Sequence, residues 1–153
     1  LKELFEKKNL PQIKDALFSL LSRKDIIVYL DHPDPSVRIT ALDKLKEIWT
    51  PEEFEIIRKK IITKKFWRLS KEEIKALLNL LSTLKTEDTI KIFGTILRKK
   101  HFFKEKIYET KQIALEALSN IKDEKALEII SRYRNSRILK EKAAEVLKKY
   151  EAE

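Results

Sequence analysis

Apolar positions recur at intervals of three and four residues along nearly the whole chain, and strand-like alternation is nowhere sustained. Such spacing belongs to helices that each bury one face. Polar residues able to cap free amides stand just before these stretches. Asp34-Pro35 offers an N-cap followed by proline at the first helical position. Thr50-Pro51-Glu52-Glu53 adds a glutamate placed for a capping box, and Ser70-Lys71-Glu72-Glu73 repeats that box. Thr86 and Asp123 open two further segments. The pattern predicts helices over residues 11–21, 24–31, 36–49, 51–62, 70–82, 86–99, 105–121, 123–133 and 137–150, with a frayed turn over 2–8.

The longer of these helices repeat one another. Val37-Arg38 leads to Ala41 and Leu45; Thr110-Lys111 leads to Ala114, Ala117 and Leu118; Leu139-Lys140 leads to Ala143, Val146 and Leu147. Weaker copies are Ile13-Lys14 with Leu17, Leu20 and Leu21, and Glu73-Ile74 with Leu77, Leu80 and Leu81. A small residue within an apolar face lets a neighbouring helix approach closely. Its return at intervals of roughly 24 to 37 residues predicts stacked helical hairpins, each burying its face against the next. The expected architecture is a single all-α domain over 1–153 with repeats 11–31, 36–62, 70–99 and 105–133 and a terminal helix 137–150.

Two segments carry a resemblance to a known family. Leu30 to Ile48, LDHPDPSVRITALDKLKEI, resembles the junction and first helix of a HEAT repeat, and Thr110 to Arg134 resembles a fuller HEAT hairpin of the bacterial type. Arg38 matches the family's usual basic position, Lys111 and Lys140 match it loosely, and Ile74 departs from it. The resemblance covers most of residues 10–150. It implies a right-handed superhelical solenoid of about four to five hairpins whose second helices line the concave side. It also implies a scaffold that binds other macromolecules, although a minority of such arrays bind nucleic acid and one HEAT-like group excises alkylated bases from DNA.

Composition narrows the chemistry. The 153 residues include one glycine, four prolines, no cysteine and no methionine. Without cysteine there are no disulfides, thiolate nucleophiles or cysteine-bound zinc, which favours a cytoplasmic setting. No apolar run approaches the ~18 to 20 residues of a membrane span. Leu1 is not expected to be a native start, which predicts a piece of a longer polypeptide. Two glutamines and four asparagines beside abundant Lys, Glu and Ile give a thermophile-like balance. The single glycine, Gly94, lies on an expected helix, so glycine-rich phosphate loops are excluded and close helix packing is the expected reason for it.

Enzyme signatures are thin. Asp31-His32-Pro33-Asp34 offers three metal-type side chains, yet reads as a helix-to-helix turn with a capping aspartate. With two histidines and no cysteine, no catalytic dyad or triad can be assembled. Base excision would need an acidic residue beside an aromatic cleft, for which Trp49 or Trp67 would supply half. The expectation is a protein with no catalytic, metal or cofactor site.

Charge is the outstanding feature: 34 Lys and Arg against 25 Asp and Glu give a formal net charge of +9. Arg58, Lys59, Lys64 and Lys65, then Arg98, Lys99, Lys100 and Lys104, then Arg132, Arg134 and Arg137 fall at the ends of expected second helices or just beyond them. Cations there complement the helix dipole at ~0.3 to 1 kcal/mol each, but several per junction exceed that need. In stacked hairpins these runs align into one basic ridge. Phe66-Trp67 and Phe102-Phe103 sit inside the runs, either pinning the junctions by packing or offering rings for stacking beside the lysines. The expected function is an interaction scaffold for an acidic protein partner; the alternatives are sequence-nonspecific RNA or DNA binding and a base-excision domain.

Overall fold

A computed structural model describes residues 16, 18–48, 50, 53–100 and 105–152. These form eight α-helices and two 3-10 turns, with no strand among the described residues. The helices are α1 (Arg23–Val28), α2 (Pro35–Ile48), α3 (Phe54–Ile62), α4 (Lys71–Ser82), α5 (Glu87–Arg98), α6 (Glu105–Ser119), α7 (Glu124–Ser131) and α8 (Lys140–Ala152). The chain divides into two compact units, Leu1–Glu52 and Glu53–Glu153. The expected hairpin 36–62 therefore has its first helix in one unit and its second in the other. The first expected hairpin, residues 11–31, lies partly outside the described residues.

Helix starts follow from their caps. Ser70 and Glu73 form the expected capping box, the Glu73 amide donating to Ser70 Oγ at 3.2 Å and the Ser70 amide to Glu73 Oε2 at 3.2 Å. Thr86 Oγ1 accepts from the Thr89 amide, Asp123 Oδ1 from the Lys125 amide and Asp34 Oδ1 from the Ser36 amide. A further box, Ser22 with Asp25, opens α1 and was not anticipated. The box expected at Thr50 falls partly outside the described residues, and the helix there begins at Phe54. At its C-terminal end α7 stops at Ser131, two residues short of expectation. The amides of Tyr133 and Arg134 reach back only three residues, to Ile130 and Ser131, tightening the last turn. The lead-in to α8 is capped by Ser136 Oγ, which accepts from the Leu139 amide.

In the first unit α1 packs on α2, and Phe18, Ile26, Leu30, Val37 and Leu45 are buried together with Ala41. Phe18 meets Tyr29 edge to face, with centroids 5.2 Å apart. The Arg38 guanidinium donates to the carbonyls of His32 and Pro33, tying the turn to the helix that follows it. The Asp34 amide donates to His32 Nδ1 at 3.1 Å, so His32 serves that same turn.

In the second unit α6 is central, in contact with α4, α5, α7 and α8. Two faces of α6 are consequently buried, through Ile113, Ala114, Leu115, Ala117 and Leu118. The helices alternate in their partners: α4 packs on α6 and α6 on α8, while α5 packs on α7. Ala41, Ala114 and Ala143 are each completely buried, as the spacing required. Lys111, which aligns with Arg38, is also buried, and desolvation pushes its ammonium below the ordinary lysine range. Gly94 corrects an expectation. A Cβ there would meet Arg98 Nη1 at 3.5 Å and Ile129 Cδ1 at 3.7 Å, which is ordinary contact, so packing does not demand glycine. Ala114→Leu is expected to cost ~1 to 3 kcal/mol through overpacking. Gly94→Ala is expected to add ~0.5 to 1 kcal/mol by removing an interior helical glycine. Urea denaturation of the two variants measures both.

Candidate functional site

Helix α3 has nine residues and more apolar positions than a single buried face can absorb. Ile57 and Ile61 are buried in the core, whereas Ile62 remains 58% exposed. The surplus lines a groove of about 490 Å3 between α3 and α5. From α3 come Phe54, Glu55, Arg58, Ile61 and Ile62; from α5 come Asp88, Lys91, Ile92, Thr95 and Ile96. On both helices these positions step by three and four, so each contributes one continuous face. Trp67, in the 3-10 turn Phe66–Arg68 that follows α3, closes one end beside Lys99.

The two helices run in the same direction along the groove. Asp88, in the first turn of α5, lies within electrostatic reach of Glu55, in the first turn of α3, and of Arg58, one turn further along. Beyond the other end of α3, Trp67 faces Lys99, the residue capping α5, whose Nζ stands 5.9 Å from the ring centroid. Both N-termini therefore share one end of the groove and both C-termini the other.

The ends differ electrostatically. Arg58 Nε donates to Glu55 Oε1 at 2.9 Å and Arg58 Nη2 to Glu55 Oε2 at 2.7 Å. This fork holds the Glu55 carboxyl below the ordinary glutamate range. Lys91 stands 3.3 Å from Asp88 and 3.5 Å from Glu87, and its ammonium is held above the ordinary lysine range, chiefly by its hydrogen bond to Asp88. At the other end no carboxylate lines the groove, and Lys99 has no ion-pair partner among the described residues. Its neighbour is the ring of Trp67, a geometry that stabilises a cation without neutralising it.

The anticipated basic residues thus meet different fates. Arg58 is committed to Glu55 within its own helix, and Arg132 pairs with Glu128. Lys59, Lys64, Lys65, Arg98, Lys99, Lys100, Arg134 and Arg137 are exposed. Arg98 and Arg132 both act on Tyr133: burial raises its phenol above the ordinary range, and these two cations oppose that rise. The ends of α5 and α7 therefore bring Arg98 and Arg132 within electrostatic reach of one phenol. Lys104, Phe102 and Phe103 lie outside the described residues. Of the other aromatic pair, Phe66 is completely buried and meets Trp67 edge to face at 5.2 Å, while Trp67 is half-buried in the groove. Packing accounts for Phe66, and Trp67 both packs and presents a surface.

The groove's apolar wall, Phe54, Ile62, Ile92 and Ile96, was not singled out from the sequence. Its trace there is the doublet Ile61-Ile62, since only one of two adjacent helical residues can point into the same core. A second depression, of about 530 Å3, lies in the first unit between Leu21, Val28, Tyr29 and His32. Among the described residues it carries Asp25 and Asp31 and no lysine or arginine, the wrong sign for an acidic partner. Among the described residues no helix is long and apolar enough to cross a membrane. No family model matches the chain, and no curated protein matches it.

Because the folded-state pKa of Glu55 is lowered, its pair with Arg58 stabilises the protein above the unfolded glutamate pKa. That contribution is lost as pH falls through the lowered folded value. Side-chain carboxyl NMR is expected to show Glu55 titrating at lower pH in the wild-type protein than in Arg58→Ala.

Proposed function

We propose that the chain is a HEAT-like right-handed solenoid acting as a non-catalytic scaffold that engages an acidic protein partner. The alternation of contacts supports the solenoid, first helices α4, α6 and α8 packing in succession and second helices α5 and α7 packing together. The burial of Ala41, Ala114 and Ala143 in one phase supports the repeat. The observation that carries the function is the groove between second helices α3 and α5. Its apolar walls and its cationic, carboxylate-free end suit a protein segment bearing both aliphatic and acidic side chains.

Two features favour the absence of catalysis. Glu55 is held as an anion by Arg58, whereas a general acid needs its proton retained by a raised pKa. It also lies at the opposite end of the groove from Trp67, one of the two rings considered for base excision; the other, Trp49, lies outside the described residues.

Nucleic-acid binding is favoured by a different observation, the exposed run Arg98, Lys99 and Lys100 at the end of α5, with Arg98 and Arg132 both within electrostatic reach of Tyr133. A salt titration separates the two readings. Phosphate contacts release counterions, so affinity for mixed-sequence RNA or DNA would fall with a log-log slope near ~0.7 to 0.9 per contact. For a protein scaffold, such binding is expected to vanish by ~0.15 M salt, where exposed charges are screened beyond ~8 Å. Tight nucleic-acid binding retained at that salt, with a slope flattened by neutralising Lys99 and Lys100, would replace the scaffold reading.

A further inference from the structure

The groove has a direction, and the direction constrains what fills it. Helices α3 and α5 place both C-termini at the Trp67–Lys99 end, where the negative ends of their dipoles lie. A third helix laid between them is favoured antiparallel, because its own N-terminus, partially positive, then meets those negative ends. Side chains reinforce the same choice. Helices concentrate Asp and Glu in the first turn, and in the antiparallel orientation that turn lies over Lys99, which stands by the Trp67 ring and has no ion-pair partner among the described residues. In the parallel orientation the same carboxylates would lie over Glu55 and Asp88, which are negative and already supplied with cations by Arg58 and Lys91. The nine residues of α3 set the length at ~13.5 Å, about two and a half turns.

We infer that the groove receives a short amphipathic helix of a partner protein, antiparallel to α3 and α5, with aliphatic residues on the exposed Ile62 and the half-buried Phe54 and its acidic first turn at Lys99 and Trp67. This rests on the protein-scaffold reading and adds to it the conformation, orientation and charge pattern of the bound segment.

The test uses the full 153-residue chain and two fluorescein-labelled 14-residue helical peptides of identical composition, each with one leucine-isoleucine stripe. One carries three glutamates in its first turn and three lysines in its last; the other reverses them. Anisotropy at 0.15 M salt is expected to show the first bound ~3- to 10-fold more tightly, the range a few exposed ion pairs supply. Lys99→Glu is expected to abolish or invert that preference, and Ile62→Asp, at a largely exposed position, to weaken both peptides. Equal binding of the two peptides with sensitivity to Ile62→Asp would overturn the orientation and leave the scaffold reading standing. Binding of neither, or a chain dimer that Ile62→Asp dissociates, would overturn both.

Discussion

Close approach at α6 is the constraint on which the second unit depends. Four helices contact this one element, and they can do so because Ala114 and Ala117 leave its surface low where larger side chains would hold neighbours away. The larger residues between them, Ile113, Leu115 and Leu118, fill the space on either side. An interior at crystal-like density has no room for added methylenes. The alanine phase therefore fixes how α4, α5, α7 and α8 are spaced around α6. Helix α5 shows the consequence. It is buried on two sides through Ile90, Phe93 and Leu97 and through Ile92 and Ile96, leaving a narrow exposed strip that includes Lys91, Thr95 and Arg98.

Along one edge of that strip lies the groove. Helix α3 brings Ile62 to one wall of a groove, α5 brings Ile92 and Ile96 to the other, and the turn after α3 swings Trp67 across the end. Phe66 anchors this turn by burying itself completely, and its ring meets that of Trp67 edge to face. A buried anchor beside a half-exposed ring is a means of presenting an aromatic surface with little conformational freedom left to lose on binding. Charge is partitioned in the same frame. Local pairs such as Arg58 with Glu55 satisfy themselves, while Lys99 is left over an aromatic face.

The net charge of +9 consequently overstates the basic surface in some places and understates its organisation in others. Arg58 and Arg132 count toward the total but are paired within one helical turn. Arg98 and Arg132, distant in sequence, both act electrostatically on Tyr133 because α5 and α7 pack together. A run of lysines along the chain is thus a poor guide to a continuous cationic surface until the helix ends have been placed.

The sequence by itself determined the helices and most of their starts, because caps at Asp34, Ser70, Thr86 and Asp123 act within three residues. It also determined which alanines are buried, since the three- and four-residue period fixes a face wherever the helix lies. It even held the pair of Arg58 with Glu55, whose partners are three apart. The tertiary structure decided the rest: that Gly94 has room for a Cβ, that α3 and α5 run side by side in one direction, and that Lys99 stands over Trp67. The division has one physical cause. Caps, periodic faces and same-helix pairs are set by backbone geometry within a single element, whereas a groove and its polarity depend on the packing of helices that the chain separates.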